Sequence, residues 1–239
     1  MTYESILVSS EGAVATVAFN RPQALNAITP AMLDELIDAF TTFGGDGQTR
    51  VVILTGEGRA FSAGVDLKSL HGQALDGGAV GDVLDVPARR LIALMQDIDA
   101  VVIAMVNGFC FTGALELALA TDIVVVAEEA VLADTHAKFG LRPTWGMSQR
   151  LPAAVGLTRA RMLSYTGRQF SGREAADWGM AALAFPRSEL TAAVHDLAWS
   201  IAGNSPGSVT AYKDLYRVAT GDALKDGLTY EAATQVRDQ

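Results

Sequence analysis

The sequence predicts an α/β protein, one αβ core followed by a helical region, on three observations. Short β-branched runs at residues 51–54, 101–106 and 123–126 have the length and composition of buried strands. Apolar stripes at helical spacing lie between them. The last third is read as helices punctuated by Gly156, Gly167 and Gly203-Asn-Ser-Pro206. Strands early and helices late fit one mixed core with a helical appendage.

Each element has a local reason. Residues 6–8 and 14–19 predict a short hairpin turning near Glu11 and Gly12, closed by Asn20-Arg-Pro. Thr29 is an N-cap type and Pro30 suits the first helical position. Met32, Leu33, Leu36, Ile37 and Phe40 then form one apolar stripe, stopped by Gly44 and Gly45. The strand at 51–54 ends at Thr55-Gly56 and enters a glycine-containing loop. Residues 70–86 hold Gly72, Gly77, Gly78 and Gly81 with weak periodicity, so a mobile loop or loosely held helix is expected. A helix is expected over 89–98, a strand over 101–106, a helix starting at Thr112 or Gly113, and a short element at 131–133. Helices follow at 148–155, 158–166 and 171–178, the last opened by the capping-box pattern Ser171-Gly-Arg-Glu174. Leu190, Ala193, Val194, Leu197, Ala198 and Ile201 make a regular apolar face. Two further helices are expected, at 209–218 and from 223 to the end. There is no internal repeat and no low-complexity tract.

Composition narrows the function classes. The 239 residues are 50% apolar and 19% charged, enough to bury one substantial core. Acidic side chains outnumber basic ones, 27 to 18, for a net charge of −9 and no dense basic stripe, which argues against nucleic acid. A local basic patch remains compatible with an anionic ligand. The lone Cys110 excludes an intrachain disulfide and, flanked by Phe109 and Phe111, reads as a buried hydrophobe in a reducing compartment. Met1-Thr-Tyr-Glu leads into no apolar run, so no secretory signal is expected, and no apolar run is long enough to span a membrane. These features point to the cytoplasm.

Two segments carry the chemistry. Ala60-Phe-Ser-Ala-Gly-Val-Asp-Leu-Lys68 and Asn107-Gly-Phe-Cys-Phe-Thr-Gly-Ala-Leu-Glu-Leu-Ala-Leu-Ala120 each follow a strand-like run. Gly64 permits a backbone conformation that leaves the Val65 amide pointing inward, and Gly113 sits where a strand meets a helix. Two converging amides would hold an enolate-like oxygen; two routine strand-to-helix turns would look the same. Glu116 lies in a helix apolar on nearly every side, so it is either a general acid or base or one half of an ion pair with an arginine such as Arg150. His136, in Asp134-Thr-His136, is either a proton carrier oriented by Asp134 or Glu116, or a loop hydrogen-bonding residue. Asp66, Asp122 and Asp134 are read as turn or cap residues. His71, His136 and His195 have no metal-ligand spacing. Gly-x-Gly-x-x-Gly, a phosphate loop ending in Lys-Ser or Lys-Thr, and the Gly-x-Ser-x-Gly elbow are all absent. What remains is acid-base chemistry on a carbonyl-activated substrate.

With these residues in view, the chain resembles the crotonase superfamily, the enoyl-CoA hydratase/isomerase family. The resemblance rests on Asn20-Arg-Pro-x-x-Leu-Asn-Ala27, Val52-Ile-Leu-Thr-Gly-x-Gly-Arg-Ala-Phe-Ser-Ala-Gly-Val-Asp-Leu-Lys68 and Val106-Asn-Gly to Leu117-Ala-Leu-Ala-Thr-Asp122. Lys138-Phe-Gly-Leu-Arg-Pro143, Ser148-Gln-Arg-Leu-Pro152 and residues 163–179 extend it to about residues 5–235. It implies a crotonase-like spiral of ββα units (residues 1–185) with a C-terminal helical trimerisation region (186–239), assembled as a homotrimer or hexamer. It implies an acyl-CoA substrate, with CoA as part of that substrate and no separate cofactor or metal. The thioester carbonyl would lie between the amides of Val65 and Gly113. Leu25, Ala27, Ala63, Asp66 and Leu67 fall where the family lines its CoA channel, with Lys68 nearby.

Glu116 matches the first of the two hydratase glutamates. The second is replaced: counting back from Ser148-Gln-Arg-Leu151 puts its position on His136, and the usual Gly-rich stretch becomes Pro143-Thr-Trp-Gly-Met147. Simple isomerases of the family depend chiefly on that second glutamate. The expectation is therefore an enoyl-CoA hydratase-like lyase of fatty acid metabolism, with Glu116 helped by His136. The alternatives are isomerisation, hydrolysis or C–C cleavage of an acyl-CoA, or an acyl-CoA-binding protein without turnover.

Overall fold

The computed structural model describes residues 3–70, 77–219 and 221–234. Strands β1 (Ile6–Glu11) and β2 (Val14–Phe19) form the antiparallel hairpin, longer at its first strand than the sequence suggested. Helix α1 (Pro30–Gly45) begins as expected: the Thr29 hydroxyl accepts from the Met32 amide at 3.2 Å, and Pro30 opens the first turn. Its stripe of Met32, Leu33, Leu36, Ile37 and Phe40 is buried, each side chain contributing about 1.5–3 kcal/mol.

Three long strands then alternate with short ones. β3 (Val51–Gly56) is followed by β4 (Ala60–Ser62), β5 (Val101–Val106) by β6 (Phe109–Phe111), and β7 (Ile123–Ala127) by β8 (Val131–Ala133). The long strands enter a six-stranded sheet, β1-β2-β3-β5-β7-β10, closed by β10 (Leu183–Phe185). The short ones enter a four-stranded sheet, β4-β6-β8-β9, with β9 at Phe170–Ser171. From β2 onward the large sheet is parallel, and its register stacks Ile53 on Ile103 and Ile103 on Ile123. β3 and β5 are buried at every position, as strands covered on both faces must be. Each circuit advances one strand in both sheets, giving the crotonase spiral.

Helix α2 (Asp82–Asp97) settles one open expectation. Of residues 70–86, expected as a mobile loop or loosely held helix, 82–86 are helical, and Pro87 sits inside the helix. An interior proline costs about 3 kcal/mol. Burial of Leu84, Ala88, Leu91, Ile92 and Met95 along one face outweighs it. Residues 71–76, including His71 and Gly72, lie outside the described residues.

Helix α3 (Gly113–Leu119) follows β6. α4 (Met147–Val155), α5 (Leu157–Thr166) and α6 (Gly172–Asp177) come next, and Ser171 and Glu174 form the reciprocal capping box. α7 (Arg187–Ala202) lies across β2, β3, β5 and β7, burying Leu190, Val194 and Ala198. α8 (Pro206–Ala219) and α9 (Gly221–Ala233) follow; the helix expected from 223 to the end is seen to Ala233, and residues 235–239 lie outside the described residues. Among the described residues, no helix is long and apolar enough to cross a membrane. Cys110 is fully buried, and burial pushes its thiol well above the usual range.

Candidate active site

Both glycine turns open on one cleft. Gly64 has φ +90°, and a Cβ there would lie 2.8 Å from the Phe111 carbonyl oxygen, so β6 approaches too closely for any side chain. The Ile28 amide donates to Gly64 O at 2.8 Å and the Asp66 amide to Ile28 O at 2.9 Å. Strand alternation turns the intervening Val65 N–H away from Ile28. Thr112 stands at φ 53°, ψ −113°, a sparsely populated conformation held by its amide on Ala133 O at 2.9 Å and a hydroxyl contact with Thr135. That turn presents Gly113 as the first residue of α3. A Cβ at Gly113 would meet the Trp145 ring at 2.7 Å. Neither the Val65 nor the Gly113 amide donates to another group among the described residues.

Glu116, one turn into α3, is only 1% exposed. Its Oε1 accepts from the Trp145 amide at 2.9 Å and the Met147 amide at 3.0 Å. Its Oε2 lies 3.5 Å from His136 Nε2. His136 Nδ1 is 2.7 Å from Asp134 Oδ1, which also accepts the His136 amide at 3.2 Å. Burial opposes a charged imidazole here, but the hydrogen bonds and negative charges of Asp134 and Glu116 outweigh it, and His136 is pushed up to about 10. Burial likewise works against the Asp134 charge, yet bonding to His136 and Ser164 prevails and holds that carboxyl below its ordinary range. The imidazole is thus set between the carboxyls of Asp134 and Glu116, an arrangement that favours its charged form. The ion pair weighed between Glu116 and Arg150 does not form: Arg150 Nη1 donates to Trp145 O at 2.9 Å instead.

Val65, Gly113, Glu116, His136, Ala63 and Leu67 all line this cleft of about 110 Å³. Leu25, Ala27, Asp66 and Lys68 do not line it but belong to the strip running from it. The Ala63 amide donates to Leu25 O at 2.9 Å, and Arg21 Nη1 reaches Ala27 O at 2.6 Å and Asp66 Oδ2 at 3.0 Å. Lys68 is exposed, its amide on Asp66 Oδ1 at 3.2 Å. Asp122 acts as a structural acceptor, taking Val102 N at 2.8 Å and Lys213 Nζ at 2.9 Å.

Sequence reasoning missed part of the wall. Trp145 and Thr144 line the cleft, and buried Asp85 on α2 holds both, accepting Thr144 Oγ1 at 2.7 Å and Trp145 Nε1 at 2.8 Å. A signal existed: Asp85 lies three residues before Ala88 and seven before Ile92, on the buried face of α2. Arg142, another wall residue, donates to the carbonyls of Gly77, Glu231 and Ala232.

Fold and cleft together define the class, a crotonase-type α/β spiral whose two glycine turns open on a cleft holding buried Glu116 and His136. The chain belongs to the enoyl-CoA hydratase/isomerase family, whose model matches residues 9–238, and is an enzyme of that family. A probable peroxisomal enoyl-CoA hydratase 1 from Arabidopsis thaliana is 35% identical over 220 residues, 92% of this chain and 81% of the relative. Carnitinyl-CoA dehydratase from Salmonella typhimurium is 35% identical over 234 residues, 95% and 85% of the two chains. An enoyl-CoA hydratase crystal structure from Mycobacterium avium superimposes with a TM-score of 0.83 at 36% identity, covering 96% of this chain and 95% of that one.

Proposed function

We propose that the enzyme adds water across the double bond of a 2-enoyl-CoA thioester, or removes it in reverse. The observation that carries this is the facing of Glu116 Oε2 and His136 Nε2 across 3.5 Å, in a cleft that also receives the Val65 and Gly113 amides. The thioester oxygen lies on those two amides, which stabilise charge as it develops. Glu116 takes a proton from water as its oxygen bonds to Cβ. The electron pair of the double bond moves onto the thioester oxygen as an enolate. His136 then gives its Nε2 proton to Cα, and the carbonyl reforms.

The substitution of the second glutamate is chemically coherent on this reading. A protonated carboxylic acid and an imidazolium each hold one proton to donate, and the carboxylates of Asp134 and Glu116 keep His136 charged at working pH. Relatives named as a hydratase and a dehydratase support water addition or removal over the other reactions of the family. The strip of Leu25, Ala27, Ala63, Asp66, Leu67 and exposed Lys68 carries the CoA moiety. Self-association as a trimer or hexamer is supported by Tyr212, Leu215, Tyr216 and Val218, all exposed on α8 in the single chain. We place the enzyme in the cytoplasm, acting in fatty acid metabolism.

The test is loss of the conjugated-enoyl absorbance of crotonyl-CoA, with 3-hydroxybutyryl-CoA identified as product. Glu116→Gln should lower kcat roughly 10²–10⁴-fold while leaving CoA-ester affinity within a factor of about three. Equal rates for wild type and variant would end the assignment of Glu116. Binding without turnover in the wild type would identify a binding protein instead.

A further inference from the structure

The turn at residues 145–148, where α4 begins, offers four successive backbone amides, and two carboxylates from distant helices share them alternately. Glu116 Oε1, from α3, takes the amides of Trp145 and Met147 at 2.9 and 3.0 Å. Glu231, from α9, takes the two between and beyond: Oε1 accepts Gly146 N at 2.7 Å, and Oε2 accepts Ser148 N at 2.9 Å together with the Ser148 hydroxyl. Both carboxyls are buried, Glu231 to 5% exposure. We propose that Glu231 is a positioning residue for Glu116, fixing through this shared turn the direction in which Glu116 Oε2 faces His136.

The packing around Glu231 is built to that purpose. Gly146 has φ +111°, and a Cβ there would fall 1.8 Å from Arg150 Nη1 and 3.1 Å from Leu228 on α9. A Cβ at Gly227 would fall 2.0 Å from Gln149 Oε1. The missing side chains at Gly146 and Gly227 thus leave room for Arg150, Leu228 and Gln149 to pack where α9 meets the turn and α4. Arg142 adds the third fixation, Nη1 on Glu231 O at 2.8 Å and Nη2 on Ala232 O at 3.2 Å, while lining the cleft. The charged groups that act on Glu231 are Glu116 from α3 and Arg150 from α4. Burial first, and then the Glu116 charge, push its carboxyl upward against the bonds from Ser148 and Gly146. Glu231 and Glu116 therefore sense one another electrostatically as well as through the turn. Moving the turn rotates Glu116, because Oε1 has both of its hydrogen-bond partners there.

This inference rests on the role of Glu116 proposed above, so the experiment has one readout that needs no substrate. Glu231→Gln keeps shape and loses charge, Glu231→Asp keeps charge and shortens reach, and Asp226→Asn removes an exposed carboxyl from the same helix. Amide exchange at Trp145 and Met147, whose amides bond Glu116 rather than Glu231, is measured by ¹⁵N NMR against amides of β5, which report global opening. Glu231→Gln and Glu231→Asp should speed exchange at both amides by at least about 10-fold more than at β5, and Asp226→Asn should leave both unchanged. With crotonyl-CoA, the two Glu231 variants should lower kcat roughly 10- to 100-fold at unchanged KM. Faster exchange confined to Gly146 and Ser148 would overturn the proposal, as would an unaltered kcat in an active enzyme, since Glu231 would then be only a cap for α4. If the wild type hydrates no enoyl-CoA, the functional reading fails, and exchange at Trp145 and Met147 still decides the coupling.

Discussion

Replacing His136 by glutamine removes the cation between Asp134 and Glu116, and the structure says how the cost should vary with pH. His136 is pushed from 6.5 in the unfolded chain to about 10 in the fold. A raised value means that folding favours the protonated form, so the stabilisation is complete below about 6.5 and disappears as pH rises through about 10. The separation corresponds to about 5 kcal/mol in full, of which roughly 3 kcal/mol is lost between pH 6 and pH 9. Asp134 is lowered by the same ion pair, so its stabilisation belongs to that pair and is not counted again. It titrates below this window and adds no slope. The assay is urea unfolding of wild type and His136→Gln at half-unit steps from pH 6 to 9, at one protomer concentration because association would shift both midpoints. The wild-type advantage should shrink by about 1 kcal/mol per pH unit through the upper half of the range. A difference that stays flat, or that grows with pH, would show that His136 is neutral in the fold and would remove its role as the acid.

Three further outcomes follow from local geometry. Gly64→Ala forces a Cβ to within 2.8 Å of Phe111 O at φ +90°, and should cost about 1–3 kcal/mol in urea unfolding and lower kcat roughly 10²–10³-fold by displacing the Val65 amide. Asp85→Ala strands the buried Thr144 hydroxyl and Trp145 indole N–H, and should cost about 2–4 kcal/mol with a shift in tryptophan emission; unchanged emission would refute the link to Trp145. Thr29→Ala removes the cap of α1 and should cost about 1 kcal/mol in urea unfolding.

Local signals sufficed wherever a short stretch of chain decides the outcome. Thr29 and Pro30 mark the start of α1, Ser171 and Glu174 mark that of α6, and the β-branched runs mark β3, β5 and β7. Glu116 stood out because a carboxyl among Gly113, Ala114, Leu115, Leu117 and Ala118 is costly unless it is partnered. The beginning of α2 stayed open between loop and loosely held helix because Pro87 and the preceding glycines lower helix propensity over that window, and tertiary burial of Leu84 and Ala88 decides for helix. His136 was legible in Asp134-Thr-His136, with Asp134 or Glu116 as its candidate partner. That both flank it, at 2.7 and 3.5 Å, is decided only by the fold.

The sequence by itself determined the hairpin and the long strands β3, β5 and β7, the starts of α1 and α6, the two glycine turns and the identity of the buried acid, since propensity, capping and alternation act over a few residues. The tertiary structure alone decided what Glu116 faces and what holds it. Trp145 and Met147 reach it across 29 and 31 positions of chain, and Glu231 joins their turn from 83 and 85 positions away. Hydrogen bonds over such separations leave no periodic trace, because the chain between can take any path that brings the two ends together.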